Sequence, residues 1–393
     1  MKKVSKRKIV IVTGSRADYG YLKPLIEEVK KEKKLHLRLY VSGMHLSKSY
    51  GETIKEIIKD GFKVARKINM EIKSNNTPYD LANSIAVGIK RFANALRSDK
   101  PDIVVVFGDR IEPFAAAIAA TALNIPIAHI NGGDVALGDI DDNLRHAITK
   151  LSHLHFPSTR KSAERILKLG EEKWRVFEVG ALTLDTIFQK KLLSKEQIFK
   201  KYHINNDSII LISYQPSTTE WSELGNQMSL ILEAVEVVIK KRKGTGIVII
   251  HPNNYPGREL ILKVIKHYQQ KLNSIFTFCN LPHHDYLSLM ASSSVFIGNS
   301  SSGIIEAPSL GIPFISIGVR QQGREKAKNV IEVGYNKKAI INAINKALND
   351  KKFLEIVRQC KTPYGKGKAS KKIVSILKKI KLDKKLLQKK ITY

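Results

Sequence analysis

The stretch VFIGNSSSGIIEAPSLGIPFISIGVRQQGR, residues 295–324, decides how the fold is interpreted. It contains an apolar run, a serine-rich turn, a predicted helix from about Ile304 to Leu310 and a second apolar run from Pro313 to Ile317. The order strand, helix, strand is typical of a parallel α/β unit. A serine-rich turn before a helix suits a phosphate group, and it also suits simple capping of the helix. Arg320 and Arg324, which follow the second run, favour an anion site.

The same alternation of apolar runs and helical segments extends through all 393 residues. KIVIVT at 8–13 and PDIVVVFGD at 101–109 are continuous β-branched runs, a pattern typical of buried parallel strands. RVFEVG at 175–180 is interpreted as a further strand, and a helix is predicted from about Glu220 to Lys241. We therefore predict an α/β protein with two doubly wound, Rossmann-like domains. The predicted boundaries are 1–188, 189–365, and 366–393 for a C-terminal helix and basic tail.

Composition restricts the classes of function. The two cysteines, Cys279 and Cys360, support no disulfide framework, which favours a reducing, cytoplasmic location. No apolar run is long enough to span a membrane, so no membrane partner is expected. The net charge of +31 is spread over nearly every predicted helix without an aromatic-studded basic stripe, so nucleic acid is not the expected partner either. No spacing typical of a metal site occurs, and we expect neither a metal nor a cofactor.

Several charged side chains follow predicted strands, where ligands of doubly wound sheets bind. A carboxylate there can transfer protons if its surroundings are apolar, or it can cap the next helix. We expect two of the carboxylates to be catalytic and the others to be structural. The residues in the loops after strands are Arg16, Asp18, His45, Asp109, Arg110 and Asp134, and Asp141, Asp142 and Arg145 follow at the start of a predicted helix.

Six motifs occur in a fixed order between Ile9 and Arg324: VTGSRADYG, SGMH, PDIVVVFGDR, IDDNLRHAITK, GNSSSGIIEAPSL and GVRQQGR. In combination they resemble the hydrolysing UDP-N-acetylglucosamine 2-epimerases of sialic-acid-type pathways. The resemblance implies a GT-B architecture, in which two Rossmann-like domains face each other across a cleft. The first domain would lie on the sugar side and the second on the nucleotide side, with the tail packed back on the first. A homodimer is also implied.

The resemblance implies a reaction as well. A base removes the proton at carbon 2 of the sugar while the nucleoside diphosphate leaves, and water then adds to the resulting glycal. The catalytic candidates are Asp109, Asp134, Asp141, Asp142 and Gln215. The nucleotide and its phosphates would be held by Arg16, Ser300, Ser301, Ser302, Gly303, Arg320 and Gln321, with Glu306 on the ribose. The remaining substrate-binding candidates are Asp18, His45, Arg110, Arg145 and Asn253.

Two positions depart from the pattern of the family. Many relatives have glutamate or histidine where this chain has Asn131, and a histidine-proline pair where it has Gln215-Pro216. Glutamine cannot shuttle a proton, so the sequence leaves several functions and substrates open. UDP-N-acetylglucosamine is the leading candidate substrate, and UDP-diacetamido-bacillosamine and a GDP-linked sugar are the alternatives. A non-hydrolysing epimerase and a catalytically impaired sugar-nucleotide-binding protein are the other readings.

Overall fold

The computed structural model describes residues 6–48, 51–70, 77–136, 140–217, 220–253, 255 and 257–392. The chain divides into two compact units. The first runs to Asp134, continues over Ile140–Gln189 and includes the chain from Tyr364 onward. The second consists mainly of Lys190–Pro363, with a short segment that begins at Val135. Each unit contains one six-stranded parallel sheet with helices around it, which confirms the predicted α/β class.

The first sheet has the strand order β3-β2-β1-β4-β5-β6, the order of a dinucleotide-binding Rossmann domain. Strands β1 and β4 form its centre, and their apolar side chains are almost completely buried, as continuous β-branched runs require. The elements are β1 Arg7–Thr13, α1 Arg16–Lys31, β2 Leu35–Ser42, α2 Ile54–Lys59, β3 Val64–Ile68, α3 Pro78–Asp99, β4 Ile103–Phe107, α4 Ile111–Ala122, β5 Ile127–Ile130, α5 Ile140–Leu151, β6 Leu154–Phe156, α6 Arg160–Lys168 and α7 Thr183–Gln189.

The second sheet has the order β12-β11-β10-β7-β8-β9. Connections leave its centre in opposite directions between β7 and β10, as they do between β1 and β4 in the first sheet. The elements are α8 Lys195–Lys201, β7 Ser208–Ser213, α9 Leu224–Ile239, β8 Thr245–Ile250, α10 Arg258–Lys271, β9 Ile275–Phe278, α11 His283–Ala291, β10 Val295–Gly298, α12 Ser302–Ile305, β11 Phe314–Ile317, β12 Val330–Val333, α13 Lys337–Asn349 and α14 Lys351–Arg358.

One sequence-based element prediction is wrong, and two helices differ from their predicted bounds. Residues 175–180 are not a strand; only an isolated bridge joins Val176 to His155, because the preceding Lys173–Arg175 form a 3₁₀ turn. The helix predicted from Glu220 starts as α9 at Leu224, after a separate 3₁₀ turn. The helix predicted over 304–310 divides into α12 and a 3₁₀ turn at Ala307–Leu310, which begins just before Pro308.

Residues after Pro363 return to the first unit and form α15 Ala369–Lys379 and α16 Lys384–Leu387. The fully buried Arg175 donates to the main-chain oxygens of Lys385 and Leu386, both at 2.7 Å, and of Gln388 at 3.3 Å. These are carbonyls at the C-terminal end of α16, which a helix cannot satisfy internally. Arg175 therefore caps the tail helix with a buried positive charge.

A buried carboxylate ties the same tail down. Glu171 accepts hydrogen bonds from Lys150 at 2.7 Å, Lys389 at 2.9 Å and His155 at 3.0 Å. Burial alone would raise the pKa of Glu171, but the hydrogen bonds from His155, Lys150 and Lys389 outweigh it and lower the pKa to about 2. The tail is thus held by charged contacts that remain intact in weak acid. No helix among the described residues has the length and apolar character needed to cross a membrane.

The capping contact yields a first testable prediction. Arg175→Met leaves several buried carbonyl oxygens without a donor, so we expect a loss of about 3 kcal/mol or more in the free energy of unfolding. Urea unfolding followed by tryptophan fluorescence measures it. Arg160→Met is the matched control, because its ion pair with Glu164 is solvent-exposed, and we expect a change within about 0.5 kcal/mol. Equal effects of the two substitutions would contradict the capping role.

Candidate functional site

The loops at the topological switch points of the two sheets hold most of the predicted site residues. In the first unit these are the loops after β1 and β4. In the second they are the loops after β7 and β10. Each group is described within its own unit.

Asp18 closes the loop after β1. Its side chain forms a capping box with Ser15 at the start of α1, and it accepts hydrogen bonds from the Thr13 hydroxyl at 2.6 Å and the Gly14 N–H at 2.9 Å. Burial would raise the pKa of Asp18, but hydrogen bonding to His45, Thr13 and Gly14 lowers it below the ordinary value. Asp18, predicted to bind substrate, is placed where it fixes the loop.

His45 is completely buried behind this loop. One ring nitrogen lies 2.9 Å from the Thr13 hydroxyl, and the other lies 2.7 Å from the Thr53 hydroxyl. The ring therefore joins the ends of β1 and β2 to the start of α2. Like the contacts of Asp18, these contacts hold the loops in place. That His45 also contacts the substrate stays a prediction.

Two arginines that were expected to bind substrate already have carboxylate partners. Arg16 Nε lies 2.8 Å from Glu56 Oε2, and Arg110 lies 3.2 Å from both carboxylate oxygens of Glu112. Their charges are therefore partly compensated inside the first unit. An anionic substrate would find less free positive charge here than the sequence suggests.

Sequence reasoning missed Glu112. Its side chain is only 1% exposed, and it lies against the backbone of Gly14 and Gly43, where a Cβ on either glycine would overlap it. Glycine at both positions therefore makes room for a buried carboxylate. The signal was present in the sequence, since Glu112 is the one charged residue in the alanine-rich helix IEPFAAAIAATA.

Asp109 and Arg145 form the central ion pair of the first unit. The Arg145 side chain is 3% exposed and its Nη2 donates to Asp109, whose side chain is 21% exposed. Arg145 also donates to the main-chain oxygen of Asn131 at 3.0 Å. Asn131 has a φ of +62°, a conformation that asparagine tolerates better than glutamate. The result is a partly open carboxylate backed by a buried guanidinium.

His129 holds the backbone beside this ion pair. The ring is completely buried, with one nitrogen 2.7 Å from the main-chain oxygen of Gly108 and the other 3.2 Å from the Thr149 hydroxyl. Burial lowers the pKa of His129 to about 3, so the ring is neutral at physiological pH. It fixes the residue that precedes Asp109.

The other predicted carboxylates differ in their surroundings. Asp134 is buried and accepts a hydrogen bond from Ser162 at 2.6 Å, which fastens it to α6. Asp142 is 22% exposed and lies 3.7 Å from His146, one helical turn further along α5. Asp141 is 3% exposed and lies one turn before Arg145, on the same face of α5. Asp141 and Asp142 both lie within one turn of Arg145, and Asp141 is the more buried of the two.

In the second unit, Asn299 and Gln215 clamp the loops after β10 and β7 together. Asn299 Oδ1 accepts from the Gln215 N–H at 2.6 Å, and Asn299 Nδ2 donates to the Gln215 carbonyl at 2.8 Å. The Gln215 side chain continues this network, accepting from the Asn253 N–H at 2.9 Å and donating to the Ser213 hydroxyl at 3.2 Å. Asn299 is a central residue that sequence reasoning did not single out.

The residues after β11 converge on the same point. Gln321 Nε2 donates to the Asn299 carbonyl at 2.7 Å, and Arg320 Nη1 lies 3.3 Å from that oxygen. Gln321 is 1% exposed, and its Oε1 has no hydrogen-bond partner among the described residues. A buried acceptor of this kind is expected to meet a donor from a ligand or water.

The serine-rich turn has a mixed character. The Ser302 N–H donates to the Ser300 hydroxyl at 3.3 Å, while Ser300 and Ser301 remain partly exposed. A Cβ at Gly303 would overlap the Phe314 ring, so packing alone requires glycine there. Glu306 is completely buried and its Oε1 lies 3.1 Å from His283 Nε2. The predicted roles of these residues toward a nucleotide stay predictions.

Comparison with known proteins decides the family. A model of the UDP-N-acetylglucosamine 2-epimerase family matches residues 27–378, which is most of the chain. The chain belongs to the UDP-N-acetylglucosamine 2-epimerase family. The family predicted from the six sequence motifs is therefore confirmed, and the protein is an enzyme of this family.

Two relatives match this chain over most of both lengths. The UDP-N,N'-diacetylbacillosamine 2-epimerase (hydrolyzing) of Legionella pneumophila is 35% identical, over 98% of this chain and 98% of its own. The GDP/UDP-N,N'-diacetylbacillosamine 2-epimerase (hydrolyzing) of Campylobacter jejuni is 36% identical, over 85% of this chain and 86% of its own. Among solved structures, the UDP-GlcNAc 2-epimerase of Neisseria meningitidis bound to UDP-GlcNAc is similar with a TM-score of 0.79. At 22% identity, over 95% of this chain and 100% of that one, it supports the two-domain Rossmann-like fold.

The buried ring of His129 leads to a prediction on pH. Its folded pKa of about 3 lies below the value of about 6.5 in an unfolded chain, so below pH 6.5 the unfolded state takes up the proton first. Its contribution to stability is complete above pH 6.5 and falls by about 1.4 kcal/mol per pH unit below it. His129→Gln removes this titration. Between pH 7 and pH 5 we therefore expect the variant to lose about 2 kcal/mol less of its free energy of unfolding than wild type loses.

Urea unfolding at several pH values measures this difference. His267→Gln is the control, because His267 is exposed and the substitution leaves the buried ring at position 129 unchanged. Identical pH dependence in wild type and His129→Gln would show that the buried ring does not titrate as described.

Proposed function

We propose that this protein is a hydrolysing 2-epimerase that converts a UDP-linked 2-acetamido sugar and water into UDP and the free 2-epimeric sugar. The observation that carries the proposal is the partly open Asp109 carboxylate with the buried Arg145 behind it. An ion pair with a guanidinium favours the ionised carboxylate, which is the form required of a base. The open edge of Asp109 leaves room for a substrate C–H.

Asp109 removes the proton from carbon 2 while the bond between carbon 1 and the diphosphate oxygen breaks. The electron pair of the C–H bond forms the double bond of a glycal, and UDP departs with the electrons of the C–O bond. Water then adds to carbon 1, and a proton returns to carbon 2 on the opposite face. Two groups on opposite sides of the ring are needed for this inversion.

Asp141 is the second proton-transfer group in this proposal. It lies one turn before Arg145 on α5 and is 3% exposed, whereas the Asp142 side chain is 22% exposed and lies 3.7 Å from His146. Asp134 accepts a hydrogen bond from Ser162 at 2.6 Å and so anchors its loop to α6. Asp134 and Asp142 are therefore assigned supporting roles.

The loops of the second unit bind the departing diphosphate. Arg320 supplies positive charge, and the hydroxyls of Ser300 and Ser301 supply donors that remain partly exposed. The amide clamp between Asn299 and Gln215 fixes these loops before the substrate arrives, so that binding costs little ordering. Because α12 is only four residues long, its dipole contributes little and the individual donors matter more.

The two relatives favour UDP-N,N'-diacetylbacillosamine as the sugar nucleotide. UDP-N-acetylglucosamine, which the sequence motifs put first, is the second candidate, and the GDP-linked sugar is the third. A homodimer and a cytoplasmic location are further expectations from the family resemblance.

Incubation with each of the three sugar nucleotides in deuterated water tests the reaction. We expect release of the nucleoside diphosphate together with a free sugar that carries deuterium at carbon 2. The preferred substrate is the one with the highest kcat/KM. Accumulation of an epimerised UDP-sugar would indicate a non-hydrolysing epimerase, and no turnover of any of the three would refute the proposal.

Neighbouring carboxylates allow a sharp comparison of roles. Asp109→Asn and Asp141→Asn are each expected to lower kcat by on the order of a hundredfold to ten-thousandfold, since each removes a proton-transfer group. Asp142→Asn, one residue away, is the matched control and is expected to lower kcat by less than about tenfold. Steady-state release of UDP measures all three, and a larger loss for Asp142→Asn than for Asp141→Asn would reverse the assignment.

Gln215→His separates an active enzyme from an impaired sugar-nucleotide-binding protein. Both ends of the Gln215 side chain are occupied by neighbours in the second unit, so histidine replaces an organising amide. We expect kcat to fall or stay unchanged, with retained binding of UDP by calorimetry. A gain of activity from a nearly inactive wild type would support loss of catalysis in this chain.

A further inference from the structure

A cavity of about 510 Å³ lies on the first unit, away from the loops described above. Trp174 and Phe177 contribute aromatic rings to its wall, and Ile376 and Ile380 contribute aliphatic side chains from the end of α15. This is a volume typical of ligand sites in proteins. The proposed epimerase reaction uses none of these residues.

Lysines surround the apolar wall. Lys379, Lys381 and Lys385 line the cavity and are solvent-exposed, and the Lys385 ammonium lies 5.1 Å from the centre of the Trp174 ring. Among the described residues none of the three has a carboxylate within ion-pair distance. The one acidic residue in the lining, Asp383, is occupied as the cap of α16, where it accepts from the Leu386 N–H at 3.0 Å.

The chain around the cavity combines this charge with exposed apolar side chains. Residues 366–393 contain eleven lysines and a single acidic residue, Asp383. Leu382 and Leu387 are each 40% exposed and Ile391 is 60% exposed, although leucine and isoleucine are normally buried. Lysine, exposed leucine and a tryptophan at the edge of an apolar cavity are the features of a surface that inserts into anionic lipid.

We propose that this face of the first unit, defined by the cavity and residues 379–391, binds the surface of an anionic phospholipid membrane. The lysines contact lipid phosphates, while Leu382, Leu387 and the cavity accept acyl carbons. Arg175 holds the carbonyls of α16, so the face is ordered before it meets lipid. The sequence argued against a membrane partner because no segment could span one, but a surface contact requires no spanning segment.

Nucleic acid is the competing polyanion, and the apolar features decide against it. Binding to DNA phosphates requires only the lysines. It would not explain the exposed leucines or the aromatic cavity. A small soluble phosphate likewise accounts for the lysines and not for Leu387 or Ile391.

Sedimentation of the full-length protein with vesicles tests the proposal. We expect binding to vesicles rich in phosphatidylglycerol and none to pure phosphatidylcholine vesicles, with loss of binding at high salt. The combined substitutions Lys379→Gln, Lys381→Gln and Lys385→Gln are expected to weaken binding on the order of a hundredfold. Epimerase activity of this variant should equal that of wild type, which verifies its fold.

The combined substitutions Lys241→Gln, Lys243→Gln and Lys352→Gln provide the matched control, because they remove the same charge from exposed positions of the second unit. This control should bind vesicles within about threefold of wild type. Equal weakening of both variants would overturn the proposal in favour of unspecific attraction by net charge. Absence of binding to the anionic vesicles at low salt would also overturn it.

Trp174 fluorescence provides an independent measurement of contact between this face and lipid. Brominated phosphatidylglycerol should quench its fluorescence in wild type, and Trp174→Phe should abolish that quenching. Glycerol 3-phosphate or DNA that displaces the protein from vesicles, with no quenching by brominated lipid, would assign the face to a soluble phosphate or a nucleic acid instead.

Discussion

Arg145 lies almost completely buried beneath the carboxyl edge of the first sheet, and a guanidinium in that position requires an anion. Asp109 provides the negative charge, and the carbonyl of Asn131 provides a second acceptor. These two residues follow different strands, so a single side chain fixes the ends of β4 and β5 against α5. His129 fixes the adjacent backbone without adding charge, because its ring is neutral. The geometry of the proposed base therefore depends on one ion pair.

In the second unit, neutral amides rather than an ion pair hold the strand ends in place. Asn299 and Gln215 exchange two hydrogen bonds between the ends of β10 and β7, and neither contributes a charge. This difference suits the two proposed tasks. Proton transfer needs ionised groups whose positions are fixed by partners of opposite charge, whereas diphosphate binding benefits when loops are held in place without consuming the cations that meet the ligand.

Long-range pairing limited what the sequence could predict. The central strands were predictable, because continuous apolar runs such as IVVVF are typical of strands that are buried on both faces of a parallel sheet. The edge strands β3 and β12 were missed, since VARKI and VIEV are only partly buried and include charged residues. Motifs indicated the candidate loops but not every partner within them: Arg16 pairs with Glu56, forty residues away. Likewise Arg175 reads as part of a strand until its contacts with the tail are known.

The return of residues 369–392 to the first unit has a consequence for how the protein forms in the cell. A ribosome makes the chain in order, so the whole second unit is synthesised before the segment that covers Arg175 and Glu171. Until then the first unit holds a buried cation and a buried anion whose tail partners do not yet exist. Its completion is a late event in biosynthesis, and nascent chains that stop within the second unit are natural clients for chaperones and proteases.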